Sequence, residues 1–262
     1  NAYNDGHRTH LGASIVGDKC IRRIWYSWRW VKVPAFSGRQ QRLFQRGHLE
    51  ETRYEEYLTA IGCEIWLADP TTGKQFRVNK INGHFGGSLD AIGRLPVRYR
   101  IPQDLLLLGE FKTKATGSGF NKLKEQGVML TNPQHYDQMC VYGAEYGYSY
   151  ALYMSTNKND DDMHVEIVAL NADRAREIAD KAAFIIDTQT APPRVAENPT
   201  FYLCKSCDYS GICFSNHLPQ KNCRSCKFAR PVADAQWYCD GWNAIIPPGK
   251  IPEGCTQLTP VS

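Results

Sequence analysis

The run Leu105-Leu106-Leu107-Leu108, inside "DLLLLGEFKTK" from Asp104 to Lys114, constrains the fold more than any other stretch. Four consecutive leucines offer no polar side, so this piece reads as a strand covered on both faces. It closes with Gly109, Glu110, Phe111 and Lys112. Alternate strand residues share a face, so Glu110 and Lys112 point together while Phe111 points away. A buried strand that ends in a carboxylate and an amine on one side makes that end a candidate site, one that other motifs must support.

The flanking patterns predict helices and short strands. A helix is expected over "DKCIRRIWYSWRW", with Asp18 as N-cap, and a long amphipathic helix over 33–62, broken at Gly47. Strands are expected in "CEIWLA", "KQFRVN" and "HFGGSLDAIG". Helices follow in "GFNKLKEQG" and "PQHYDQMCVYGAEYG", then the strand pair "SYALYMSTNK" and "MHVEIVAL", then a helix over 171–189 with Asn171 as N-cap. Residues 1–18 read as an irregular arm, and "APPRVAENPT" as a Pro-rich linker. The order predicts an α/β class: a mixed central sheet flanked by helices, with a cysteine-rich, metal-bound C-terminal appendage.

Composition bounds the partners. The chain has 262 residues, 42% of them apolar, which is enough for a core, and its net charge of +4 excludes a global polycation. The charge is uneven. Arg8, Lys19, Arg22, Arg23, Arg29, Lys32, Arg39, Arg42 and Arg46 are countered in the same segment only by Asp5 and Asp18, a pattern that fits a polyanion-facing surface. No run approaches the roughly 18–20 apolar residues of a membrane span, and no secretory pattern is visible. Of the ten cysteines, the clustered ones read as metal ligands in a reducing, cytoplasmic setting.

Phosphodiester hydrolysis needs a divalent cation held by carboxylates, a nucleophilic water, and a group that stabilises charge on the phosphate. Glu110 is a ligand candidate. Lys112, on the same face, is suited to orient or deprotonate the water or to neutralise developing charge. Asp90 is expected to end an earlier strand just after Gly86-Gly87, where little side-chain bulk blocks close approach. Glu51 lies on a helix starting near Gly47, with His48 on the same face and Glu50 facing differently. Gln138 and Tyr142, at i and i+4, share one face of a helix.

The ordered series is G-x-x-x-E (Gly47 to Glu51), G-G-S-L-D (Asp90), an apolar strand ending E-x-K, then Q-x-x-x-Y. It resembles the PD-(D/E)xK nuclease superfamily in its RecB-like branch, which includes the RecB and AddB nuclease domains, CRISPR-adaptation nucleases and lambda-type phage recombination exonucleases. The resemblance covers about residues 10–215. It implies a restriction-endonuclease-like nuclease domain over 1–215 and a separate tail over 216–262. It implies a metal site of Glu51, Asp90 and Glu110, with Phe111 and His48 counted in the metal set, and Mg²⁺ or Mn²⁺ as the ion. Lys112 takes the place of the catalytic lysine, while Gln138 and Tyr142 match the helix motif that positions the site and contacts DNA. The implied activity is a deoxyribonuclease, an exonuclease in phage-type recombination, with DNA as substrate, a single-strand annealing protein as partner and a homo-oligomer as assembly. The competing reading is a non-catalytic nucleic-acid-binding module held by metal clusters, which has no use for the three acids.

Seven cysteines lie beyond Phe201. Cys204, Cys207 and Cys213 form C-x₂-C-x₅-C, and thiolates so spaced can converge on one centre. A fourth ligand must come from elsewhere, and Cys20 is the candidate. One N-terminal cysteine plus this triplet resembles the [4Fe–4S] arrangement of AddB and the CRISPR-adaptation nucleases. The resemblance implies a structural cluster that staples the two ends of the nuclease domain, with zinc at the same thiolates as the alternative. Cys223, Cys226, Cys239 and Cys255, as C-x₂-C-x₁₂-C-x₁₅-C, approach a small zinc ribbon. His217 is a possible replacement ligand. Lys221, Arg224, Lys227 and Arg230 with Trp237, Tyr238 and Trp242 give the tail a composition suited to nucleic acid. Cys63 and Cys140 read as core thiols, and Trp25, Trp28 and Trp30 as core packing.

Overall fold

The computed structural model describes residues 7–32, 34–96, 102, 105–114 and 117–261. Residues 1–6 of the expected arm, and Asp104 ahead of the leucines, lie outside the described residues. The elements begin with β1 (Leu11–Gly12), α1 (Ala13–Val16), α2 (Ile21–Trp28), α3 (Gly38–Ala60), β2 (Glu64–Trp66) and β3 (Arg77–Lys80). They continue with β4 (Phe85–Ser88), β5 (Ala91–Arg94), β6 (Leu107–Lys114), α4 (Gly117–Thr131), α5 (Pro133–Tyr146), β7 (Tyr150–Asn157) and β8 (Met163–Ala169). The last are α6 (Ala172–Asp187), α7 (Ser210–Phe214), β9 (Ala229–Pro231), β10 (Trp237–Cys239) and β11 (Ala244–Ile246). The class is mixed α/β, as expected. Among the described residues no helix is long and apolar enough to cross a membrane.

The described chain divides into two compact units. The first takes in Phe36–Val78 and Gly87–Ala179, and the second the residues up to Ala35, Asn79–Gly86 and Asp180 onward. The first is built on a five-stranded sheet ordered β2-β5-β6-β7-β8. The leucine-rich strand β6 sits at its centre, antiparallel to β5 and parallel to β7. A parallel neighbour needs a crossover, and α4 and α5 supply it. Phe111 packs under α3 in a core cluster with Tyr54, Leu58, Leu107, Leu152 and Met154. Its ring lies 5.1 Å from that of Tyr54, a pairing worth about 0.5–1.5 kcal/mol beyond burial. Glu110, pointing the other way, meets Gln138 of α5. Helices thus cover both faces of β6, which is why its leucines need no polar side.

Four local expectations change. α3 runs unbroken through Gly47 for 23 residues, because one mid-helix glycine costs only about 1 kcal/mol while Tyr54 and Leu58 anchor the helix. A capping box at Ser37 and Gln40 starts it. The N-cap of α2 is Cys20, not Asp18; Asp18 Oδ1 accepts from Cys20 N at 2.7 Å and its other oxygen pairs with Arg23. "HFGGSLDAIG" is two strands, so Asp90 stands between β4 and β5 rather than ending a strand. The helix expected over 119–127 extends to Thr131, with a kink where Gly127 takes φ +76°. The expected cap at Asn171 is present, its Oδ1 accepting from Asp173 N and Arg174 N at 2.8 and 3.0 Å.

In the second unit β1 pairs in parallel with β4, Leu11 opposite Phe85, and β9, β10 and β11 form an antiparallel meander. Trp25 and Trp28 are buried, as is Trp30, in line with their expected role in packing. Trp28 meets His84 edge-on and Trp237 at a tilt, with ring centres 5.4 and 5.2 Å away. Trp237 and Arg224 of the tail are also buried. The two are therefore removed from the expected nucleic-acid surface, while Trp242 stays exposed. Cys63 and Cys140 are buried core thiols.

Candidate active site

The end of β6 and the residue before β5 bring the acids together. Ala91 is opposite Gly109 in the β5–β6 ladder, which places Asp90 beside the next residues of β6. Asp90 Oδ2 accepts from Phe111 N at 2.8 Å and from Lys112 Nζ at 3.4 Å. Lys112 Nζ also donates to Phe111 O at 3.0 Å and forms an ion pair with Glu110 Oε1. From α5, Gln138 Nε2 donates to Glu110 Oε2 at 3.2 Å and to the Tyr142 hydroxyl at 3.3 Å. The structure thus assembles Asp90, Glu110, Lys112, Gln138 and Tyr142 into one network. Phe111 belongs to it through its backbone only, because its side chain lies in the core.

Glycine makes two of these approaches possible. A methyl group on Gly87 would collide with the Tyr142 hydroxyl, and one on Gly109 would lie 2.9 Å from Ala91 Cβ. The first closes Tyr142 over the site, and the second keeps β5 and β6 in tight register.

Burial sets the electrostatics. Glu110 has no exposed surface, and that desolvation pushes its carboxyl up to about 7, with Lys112 pulling down and Asp90 pushing further up. Burial alone would discharge Lys112, but the Glu110 and Asp90 carboxylates outweigh it and hold the amine well above its ordinary range. Burial, then the Glu110 and Asp90 charges, push the Tyr142 phenol up, so it remains protonated. Glu51 is raised by burial first and by Asp90 next, with His48 and Lys112 pulling down. It therefore lies within electrostatic reach of the cluster. His48, 61% exposed in its side chain, stands 3.6 Å from Glu51 Oε1 on the outer side. Glu50 turns inward and is buried, accepting from Thr156 Oγ1 at 3.1 Å and pairing with Arg53 at 3.0 Å.

The donor chemistry fits a hard divalent cation. Asp90 and Glu110 share Lys112, Glu51 lies within electrostatic reach of both, and among the described residues Glu110 Oε1 is buried with no hydrogen-bond partner, its contact being the ion pair with Lys112. Among the described residues no group of three or more His, Cys, Asp or Glu side chains is arranged to hold a metal ion; the Lys112 ammonium lies between Asp90 and Glu110.

Several residues of the surroundings escaped sequence reasoning. The Tyr54 hydroxyl donates to Lys112 O at 2.9 Å and meets Thr156 Oγ1 at 2.6 Å, tying α3 to the end of β6. Tyr153 is opposite Glu110 in the parallel ladder and its hydroxyl lies 3.0 Å from His135 Nδ1. Burial first, then Lys112 and Lys114, push His135 down to about 3, so its imidazole is neutral. His135, Gln138 and Tyr142 fall on one helical stripe, a signal that pointed to His135. The register that brings Tyr153 to Glu110 leaves no mark in the sequence.

All ten cysteines are free thiols, and eight of them lie in the second unit. Cys20, Cys204, Cys207 and Cys213 line one pocket together with Arg22, Arg23 and Arg194. Burial, then the neighbouring Cys20, Cys213 and Cys207, push the Cys204 thiol up. Cys223, Cys226, Cys239 and Cys255 line a second pocket. His217 is exposed and is not among its lining residues.

No protein-family description and no curated protein sequence matches the chain. Solved structures give distant likenesses. The crystal structure of SSO0001 shares 17% identity over 79% of this chain and 86% of that one, with a TM-score of 0.45. An alkaline exonuclease (LHK-Exo) from Laribacter hongkongensis shares 17% over 68% and 87%, TM-score 0.47. LHK-Exo in complex with dAMP gives 16% over 68% and 86%, TM-score 0.41. These are likenesses of general architecture, and the chemistry of the site rests on its own residues.

Proposed function

We propose that this chain is a metal-dependent deoxyribonuclease of the PD-(D/E)xK type that degrades DNA from its ends. The observation that carries the reading is the Glu110–Lys112–Asp90 cluster at the end of the central strand, with Glu110 fully buried and the other two half-buried. A half-buried lysine tied to two acids adds little to stability, since apolar residues often fill such a place without loss. Asp90 and Glu110, with Glu51, would hold Mg²⁺ or Mn²⁺. The bound cation supplies Lewis-acid polarisation of the phosphate and acidity to water.

The chain's own residues do the rest. Lys112, on the same face as Glu110, would orient or deprotonate the water or neutralise charge developing on the phosphate. Gln138 fixes the orientation of Glu110, and Tyr142 keeps a hydroxyl proton at the site. Neutral His135 adds no positive charge beside Lys112. The Cys20, Cys204, Cys207 and Cys213 thiols, lined with three arginines, would hold a structural [4Fe–4S] cluster, or zinc at the same ligands.

Linear duplex and covalently closed circular DNA of the same sequence test the reading. With Mg²⁺ or Mn²⁺ the linear form is expected to release mononucleotides or short oligonucleotides, EDTA to stop release, and the circle to survive. Nicking or linearisation of the circle would overturn end-dependence, and no cleavage of either form would overturn the nuclease reading.

A further inference from the structure

The second unit buries two guanidiniums that have no acid. Arg29 is 0% exposed and Arg224 1%, and among the described residues no carboxylate acts on either. Arg29 Nη1 donates to Ala229 O at 2.9 Å and Nη2 to Cys226 O at 2.6 Å. Arg224 Nη1 donates to Thr9 O at 3.0 Å. Its guanidinium lies 4.0, 4.4 and 4.6 Å from the ring centres of Trp28, Trp30 and Trp237. Among the described residues, Arg29 Nε, Arg224 Nε and Arg224 Nη2 are buried with no hydrogen-bond partner. Arginine does not deprotonate in proteins. Ring faces and carbonyls offer partial charge only, and burying an uncompensated ion costs several kcal/mol. Two whole positive charges therefore call for a counter-charge.

The pocket beside them can supply it. Cys223, Cys226, Cys239 and Cys255 line it together with Ala229. The two carbonyls that Arg29 holds, those of Cys226 and Ala229, thus belong to lining residues, and Arg224 sits between Cys223 and Cys226 in the chain. Neutral thiols carry no charge. Four thiolates on Zn²⁺ carry two net negative charges, matching the two guanidiniums, and the four thiol protons leave to solvent on binding.

We propose that Cys223, Cys226, Cys239 and Cys255 bind Zn²⁺ as a tetrathiolate whose net charge is balanced by buried Arg29 and Arg224. This stands apart from the nuclease reading and can fail without it. The test is metal analysis and cobalt substitution of the full-length protein. Zinc, and the visible ligand-field bands of tetrahedral cobalt thiolate, are expected to be lost in Cys239→Ser and kept in Cys207→Ser. In chelator competition Arg29→Met and Arg224→Met should hold zinc about 10–100-fold more weakly, while Arg29→Lys, which keeps the charge, stays near wild type. Absence of Cys239-dependent zinc, or equal affinity in Arg29→Met and wild type, would overturn the proposal. Should the methionine variants not fold, hydrogen exchange on the wild type decides. Removing zinc should expose the amides of residues 223–229 and 29–31, and unchanged protection would overturn the charge pairing.

Discussion

Replacing Lys112 with methionine keeps the apolar stem and removes the ammonium that faces Glu110. Glu110 is fully buried, and with Lys112 in place its carboxyl already stands at about 7. Without the amine, burial and Asp90 remain, so the folded value moves higher still. An unfolded glutamate titrates near 4.3. A carboxyl raised on folding keeps a proton that the unfolded chain has released, so stability falls as pH rises from the unfolded value to the folded one. The slope is about 1.4 kcal/mol per pH unit for one proton. In the wild type that decline ends near pH 7. In Lys112→Met it continues, so the gap between the two should widen by about 2–3 kcal/mol between pH 7 and pH 9. Urea unfolding followed by far-ultraviolet circular dichroism across pH 5–9 reads this directly. Adding Glu110→Gln removes the titrating group and should restore most of the lost stability at pH 9. A gap that stays constant with pH, or a double variant no better than the single one, would refute the account of a carboxylate held in place by the lysine.

Three further outcomes are expected. His135 is depressed to about 3, so the folded state loses stability as pH falls below the unfolded value of about 6.5; His135→Gln should flatten that acid limb in urea titrations between pH 6.5 and 4. Tyr54→Phe removes the hydroxyl bonds to Lys112 O and Thr156 and should cost about 1–2 kcal/mol in equilibrium unfolding. Gly87→Ala drives a methyl into the Tyr142 hydroxyl and should cost about 1–3 kcal/mol by the same measurement, with Tyr142→Phe in the same chain recovering part of the loss.

What the sequence revealed depended on range. Of the four leucines only Leu107 and Leu108 lie in the buried strand, with Leu105 and Leu106 half-buried ahead of it, and alternation alone put Glu110 with Lys112 and Phe111 opposite. Helical spacing likewise placed Gln138 and Tyr142 on one stripe. Asp90 was found by its place in an ordered series, but its position in the gap between β4 and β5 depended on where two short strands part. Tyr54 and Tyr153 were invisible, because one reaches β6 from a distant helix and the other through parallel register. Arg29 shows the opposite failure. Counted with a basic, surface-facing segment, it is instead fully buried, since composition records charge and not the carbonyls and rings that surround it. The tail's Arg224 and Trp237 misled in the same way.

The central claim is that the Glu110–Lys112–Asp90 cluster cuts DNA. The most direct measurement compares wild-type protein with Lys112→Ala on end-labelled linear DNA in Mg²⁺ or Mn²⁺, at pH 7, with circular dichroism confirming that both are folded. The account predicts cleavage by the wild type and loss of cleavage, with DNA binding retained, in Lys112→Ala. Full metal-dependent cleavage by the folded variant would contradict it.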